Sequence, residues 1–225
     1  ANNLNISSGV EFRTNMYDVS ANIANDGLFI ANGGTTFNAI TGNGSFLVFG
    51  GAVVNDGTIT QDNLGINSDS TLRTSAQSLT IANGIENNGT LFIDYSIGAD
   101  TNSNDIRGDG ILRIVNGTDL TNTGEIRQEG MAITNGSTLH TDASLLYIAN
   151  RILNNGTLDF NVTGDNANNI TGSGTLLISN DADVVNTGAI GQSLLYIDNS
   201  SFTTDASLLN GTAEIANGYD LHFTG

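Results

Sequence analysis

Apolar and polar residues alternate along nearly the whole chain, in short runs such as "GTLFI" (89–93), "STLHT" (137–141) and "LLYIAN" (145–150). A period of two marks strands with one buried face. No stretch carries the 3.6-residue spacing of an amphipathic helix. Asn-Gly, Asp-Gly and Asn-Asn-Gly separate the runs and supply the positive φ angles expected of tight turns. The pattern predicts an all-β chain of many short strands.

The runs also recur. Apolar-x-Asn-x-Gly-x-apolar appears six times, starting at Ile23, Val53, Ile85, Leu120, Ile152 and Val184. Its glycines are Gly27, Gly57, Gly89, Gly124, Gly156 and Gly188, at spacings of 30, 32, 35, 32 and 32. A period twice as long overlies this one. It joins "AITGNGSFLVF" from Ala39, "DIRGDGILRI" from Asp105 and "NITGSGTLLI" from Asn169. Repeating strand–turn–strand units are satisfied by a parallel β-solenoid, in which each strand pairs with its counterpart one coil away.

If one unit is one coil, residues 1–225 form a single repeat domain of about seven coils of ~32 residues, without distinct caps. At about 4.8 Å per coil the rod is roughly 34 Å long. Asn25, Asn55, Asn87, Asn122, Asn154 and Asn186 then share one column. Each amide bonds its neighbours above and below, and each adjoining glycine lets the backbone turn a corner. Coils of ~21 residues, three to each long repeat, are the alternative and would break that ladder.

Composition narrows the function. Asp and Glu number 23 against six basic residues, all Arg, giving a net charge of −17. Such a surface repels phosphate backbones and anionic lipid, so nucleic acid is not an expected partner, and with no run of 18 apolar residues membrane insertion is not expected either. No cysteine is present, which removes disulfides and thiolate metal sites and suits an exported chain as well as a cytosolic one. The chain opens at Ala1 without a basic or apolar leader and reads as a mature chain or an excised segment.

Candidate chemistry is sparse. His140 and His222 have no recognisable nucleophile or metal-ligand partner in sequence, and His140 in "LHT" takes the outward slot that Arg13 and Arg73 hold in "FRT" and "LRT". The longest insertion, "GADTNSNDIRGDG" (98–110), carries Asp100, Asp105 and Asp109, a possible calcium set because alternating oxygen ligands suit a hard cation. It lacks the glycine and glutamate of an EF-hand loop. "RGD" at 107–109 fills the slot of "TGN" at 41–43 and "TGS" at 171–173, so it reads as a structural turn.

This texture of Asn-Gly turns and Thr-Leu strands without cysteine, "VxNxGxI…GTLxI", resembles the passenger regions of autotransporters and of filamentous-haemagglutinin-type secreted adhesins. The resemblance implies a right-handed parallel β-helix at the cell surface or outside the cell. It supplies no functional residues. The resulting expectation is a non-enzymatic adhesive or structural solenoid without cofactor, a building block of a stalk or of a filament. Its partners are itself, head to tail through open ends, or flanking repeats of a longer chain, with host or neighbouring-cell glycans as further candidates. A carbohydrate-active β-helix is the alternative.

Overall fold

The computed structural model describes residues 3–15, 19–94, 99–216 and 219–224. Every strand pairing among them is parallel. The separation of partners along the chain ranges narrowly, from that of Phe12↔Phe29 to that of Leu64↔Ile85. The protein is therefore a parallel β-solenoid of about 11 turns with a spacing of ~19 residues. The 32-residue coil is wrong, and so is the count of seven. The ~21-residue alternative comes nearer in length but does not divide the super-repeat as expected. At about 4.8 Å per turn the rod is roughly 50 Å long.

Each turn presents three faces. On face A the inward positions are Leu4, Ile23, Ile40, Ile59 and Leu79. Strand Ala99–Asn102 continues that face into Leu120, Leu139, Leu158, Leu176, Leu195 and Ala213. Face B stacks Phe12, Phe29, Phe46, Leu64, Ile85, Ile106, Ile126 and Leu146. It then passes to Val184, Phe202 and Leu221. Face C carries Val53, Leu72, Leu91, Leu112, Met131, Ile152, Ile170, Ile190 and Leu209.

The alternation read from sequence is what fills these columns. Strand Thr90–Asp94 buries Leu91 and Ile93 and turns Thr90, Phe92 and Asp94 outward. Phe29 is fully buried, with its ring centroid 6.0 Å from Phe12 and 5.2 Å from Phe46. Burying such a side chain contributes about 1.5–3 kcal/mol, and every turn supplies several. Strands Ala52–Gln61, Ile126–Ile133 and Leu146–Asn154 run round a corner and join two faces. Among the described residues helix is limited to three 3-10 turns, Ala76–Ser78, Ala143–Leu145 and Ala206–Leu208.

The super-repeat acquires a geometric meaning. Ile40, Ile106 and Ile170 are sequence equivalents, and they lie on faces A, B and C in turn. Leu72, Leu139 and Phe202 lie on C, A and B. One super-repeat is three and a third turns, so each feature reappears a third of a turn round the rod. The shorter Asn-Gly period is one and two-thirds turns.

The motif glycines are corrected with it. None of Gly27, Gly57, Gly89, Gly124, Gly156 and Gly188 has a positive φ. They are glycine because the preceding coil is too close. A Cβ on Gly156 would lie 2.2 Å from the Ser137 carbonyl oxygen and 2.5 Å from that of Thr134.

Candidate functional site

The six motif asparagines do not share a column. Asn25 and Asn122 follow face A, Asn87 and Asn186 follow face B, and Asn55 and Asn154 follow face C. All six are buried, and they work in two alternating ways. Asn25, Asn87 and Asn154 donate from Nδ2 to the Oε1 of Gln61, Gln128 and Gln192, at 2.5, 2.5 and 2.7 Å. Those partners lie nearly twice the coil length further on, so each clamp spans two turns. Asn55, Asn122 and Asn186 instead donate to the carbonyl of their own glycine and to Thr74, Thr141 and Thr204 one turn above. Short amide ladders do form, as Asn102 Nδ2 donates to Asn122 Oδ1 and Asn166 Nδ2 to Asn186 Oδ1, both at 2.7 Å.

The three aspartates of the insertion are not gathered. Asp100 is buried and accepts from the backbone N–H groups of Ala76, Gln77 and Thr101 at 2.6, 2.6 and 2.8 Å. Asp105 accepts from the Glu125 N–H and the Arg107 guanidinium. Asp109 lies in the turn, its own N–H donating to Asn88 Oδ1. Among the described residues no set of three His, Cys, Asp or Glu could hold a metal ion; Gly98, which opens the segment, is outside them. The turn reading of "RGD" has a direct geometry. Gly42, Gly108 and Gly172 all have positive φ, and the residues after them all donate to a side-chain oxygen one turn below.

His140 points outward but is not free. Its Nδ1 is 2.7 Å from Asp159 Oδ2 and its Nε2 is 3.0 Å from Asp119 Oδ1. Asp159 is buried and also accepts from Ser179 Oγ at 2.8 Å. The hydrogen bond to Asp159, reinforced by the charges of both carboxylates, raises the His140 pKa above its ordinary value against the opposing effect of burial. Both ring nitrogens are engaged, so the imidazolium acts as a tie across three turns. Asp119 sits one turn below and Asp159 one turn above, a link that needs the true coil length to be seen.

The most developed surface feature is a groove on face B. The face B part of strand Leu146–Asn154, Leu146–Ile148, should receive the next coil along its edge, but a side chain intervenes. Asn168 Oδ1 accepts from the Ile148 N–H at 2.8 Å, and its Nδ2 donates to the Leu146 carbonyl at 2.9 Å. The following coil, with strand Gly164–Asn166, is displaced, and the step opens a groove of about 720 Å³. Tyr147, 48% exposed, stands in it with the Arg127 guanidinium 4.6 Å from its ring centroid. Arg127 is held from behind by Glu125 at 3.1 Å. Asp109 and Glu129 complete the rim, and Glu129 accepts from Asn150 at 3.0 Å.

Comparison with known proteins adds no label to this geometry: the chain matches no family model, no curated protein and no solved structure.

Proposed function

We propose that the chain is a non-enzymatic extracellular rod, right-handed as its resemblance to autotransporter passengers implies, that serves as the stalk of an adhesin and extends by coil-on-coil contact. The observation that carries this reading is how the repeated polar side chains are used. The buried Asn, Gln and Thr of each super-repeat are spent on tying one turn to the next, on all three faces. The surfaces that a further coil, of a longer chain or of a second copy, would meet are those of the two outermost described coils. Ile215 and Phe223 of the last coil are 42% and 57% exposed, and Leu4 and Phe12 of the first are only partly covered. Both coils have strand edges paired on one side alone. Thr212–Ile215 and Asn3–Ile6 lie on the same face, so a coil placed over the last one brings Leu221 beneath a residue in the position of Phe12.

The absence of native cysteine gives a clean test. In a chain carrying both Asn5→Cys and Glu214→Cys, stacked copies bring the two thiols within the 4.4–6.8 Å Cα separation, about one strand spacing, that a disulfide spans. Oxidation should yield a ladder of covalent multimers, with rods in negative-stain micrographs. Discrete particles about 50 Å long at every concentration, without crosslinks, would count against self-stacking.

A further inference from the structure

We propose that the face B groove around Tyr147 binds a neutral carbohydrate chain. The inference rests on the adhesive half of the reading above and names the class of partner. Its basis is a difference between two repeats of the same molecule. The step that opens the groove is a repeated structural device. Asn104 closes the edge of Leu79–Ile81 as Asn168 closes that of Leu146–Ile148. Gln61 and Gln128 occupy the same corner in the two repeats. The buried parts agree, but the outward ones do not. Where the first repeat has Thr60 and Thr80, the second has Arg127 and Tyr147. One repeat has thus gained an aromatic ring and a guanidinium on a scaffold that needs neither.

The chemistry of the groove selects among ligands. A half-exposed tyrosine ring offers a flat apolar surface to the C–H face of a sugar, while Asp109 and Glu129 accept from hydroxyls and Arg127 donates. An extended peptide would want a free strand edge, but the Leu146 carbonyl and Ile148 N–H are already taken by Asn168. Phosphate, sulfate or uronate groups would meet two carboxylates in a molecule of net charge −17. An uncharged polyhydroxylated chain meets none of these objections.

The experiment is titration of the full chain with cellohexaose, xylohexaose, mannohexaose and maltohexaose, and with polygalacturonate, by calorimetry and by intrinsic tyrosine fluorescence. At least one neutral hexasaccharide should bind. Tyr147→Ala should weaken it at least tenfold with an unchanged melting temperature, and Thr80→Ala at the equivalent step should leave it unaltered. If Tyr147→Ala fails to fold, Glu129→Gln should weaken the same sugar severalfold. Binding of no neutral chain, binding only of polygalacturonate, or equal binding by Tyr147→Ala or by a folded Glu129→Gln would overturn the proposal. Rods and crosslinks without sugar binding would overturn the groove alone, whereas sugar binding by a chain that never stacks would overturn the self-stacking half alone.

Discussion

Replacing Gly156 by alanine should cost far more than replacing Gly136, although only Gly136 has the backbone angle that is usually held to demand glycine. Gly136 has φ +80°, and a Cβ added to it would meet nothing within 4 Å. Its substitution meets the left-handed penalty of about 1–2 kcal/mol, offset by about 0.4–1 kcal/mol from a less flexible unfolded chain. The net loss is about 0–1.6 kcal/mol. Gly156 has an ordinary φ, but its Cβ would lie 2.2 and 2.5 Å from two backbone oxygens and 3.0 Å from Ile133 Cγ2. Backbone oxygens cannot rotate away, so the two coils must part by most of an ångström. Overpacking of this kind costs about 1–3 kcal/mol and sometimes more. We expect Gly156→Ala to lose about 2–3 kcal/mol, read as a lower urea midpoint by far-UV circular dichroism with unchanged slope. The oxygens belong to Ser137 and Thr134 on the coil below, so the result tests the stacking register itself. Equal midpoints for the two variants, or a larger loss for Gly136→Ala, would refute the close-approach argument.

Gln128→Leu should cost about 1–3 kcal/mol, because it removes the acceptor of a buried Asn87 amide; a denaturation midpoint equal to that of the parent chain would show the two-turn clamp to be idle. His140 should stabilise the fold most while protonated. Its folded pKa is raised, so its contribution is fully present below the unfolded value of about 6.5 and fades as pH rises through the folded value. The stability difference between the parent and His140→Ala should therefore be larger near pH 5 than near pH 9, and a difference that grows toward alkaline pH would exclude the charged tie. Excising residues 80–146, one super-repeat, should leave a cooperative rod about 16 Å shorter, since Ile152 then follows Leu64 as Ile85 does now. A chain lacking the single coil 107–126 should unfold more easily, because the cut brings Gln128 from two turns above Asn87 to one and so breaks the two-turn clamp; the opposite order of urea midpoints would make the coil the unit of stability.

The class of fold was legible because it depends on local alternation, and Leu91, Ile93, Leu139 and Leu158 point inward as their runs require. Coil length was not legible, for a physical reason. Residues stacked directly above one another need share only an apolar character: Leu72, Leu91, Leu112 and Met131 form one column, and no flanking residue is common to all four. The conspicuous likeness among the Asn-Gly segments comes from corner chemistry instead. An asparagine that bonds to the backbone two residues on makes the same local turn on any face, as Asn25 and Asn154 do with the N–H groups of Gly27 and Gly156. Reading that likeness as vertical stacking placed the amides in one ladder. The His140 tie and the Tyr147 groove were hidden by the same error, since both join residues on adjacent turns of the true coil.

A period that does not divide into whole turns has a mechanical consequence. Each super-repeat contains one weak feature, a 3-10 turn followed by a step where a side chain replaces a strand edge. Were the super-repeat three whole turns, Ala76–Ser78, Ala143–Leu145 and Ala206–Leu208 would lie along one line, and so would the steps closed by Asn104 and Asn168. A rod with its defects on one side has one side with fewer ladder hydrogen bonds, and it bends or opens there first. With three and a third turns the steps fall on face A and then on face B, while the other two faces carry continuous strands across each. Leu72↔Leu91↔Leu112 bridges the first step on face C, and Ile152↔Ile170 bridges the second. The same offset carries anything added at a step, as Tyr147 and Arg127 are, to a new side of the rod with each repeat. Coil length and repeat length are therefore set by different demands, the first by the apolar cross-section and the second by the spacing of its interruptions.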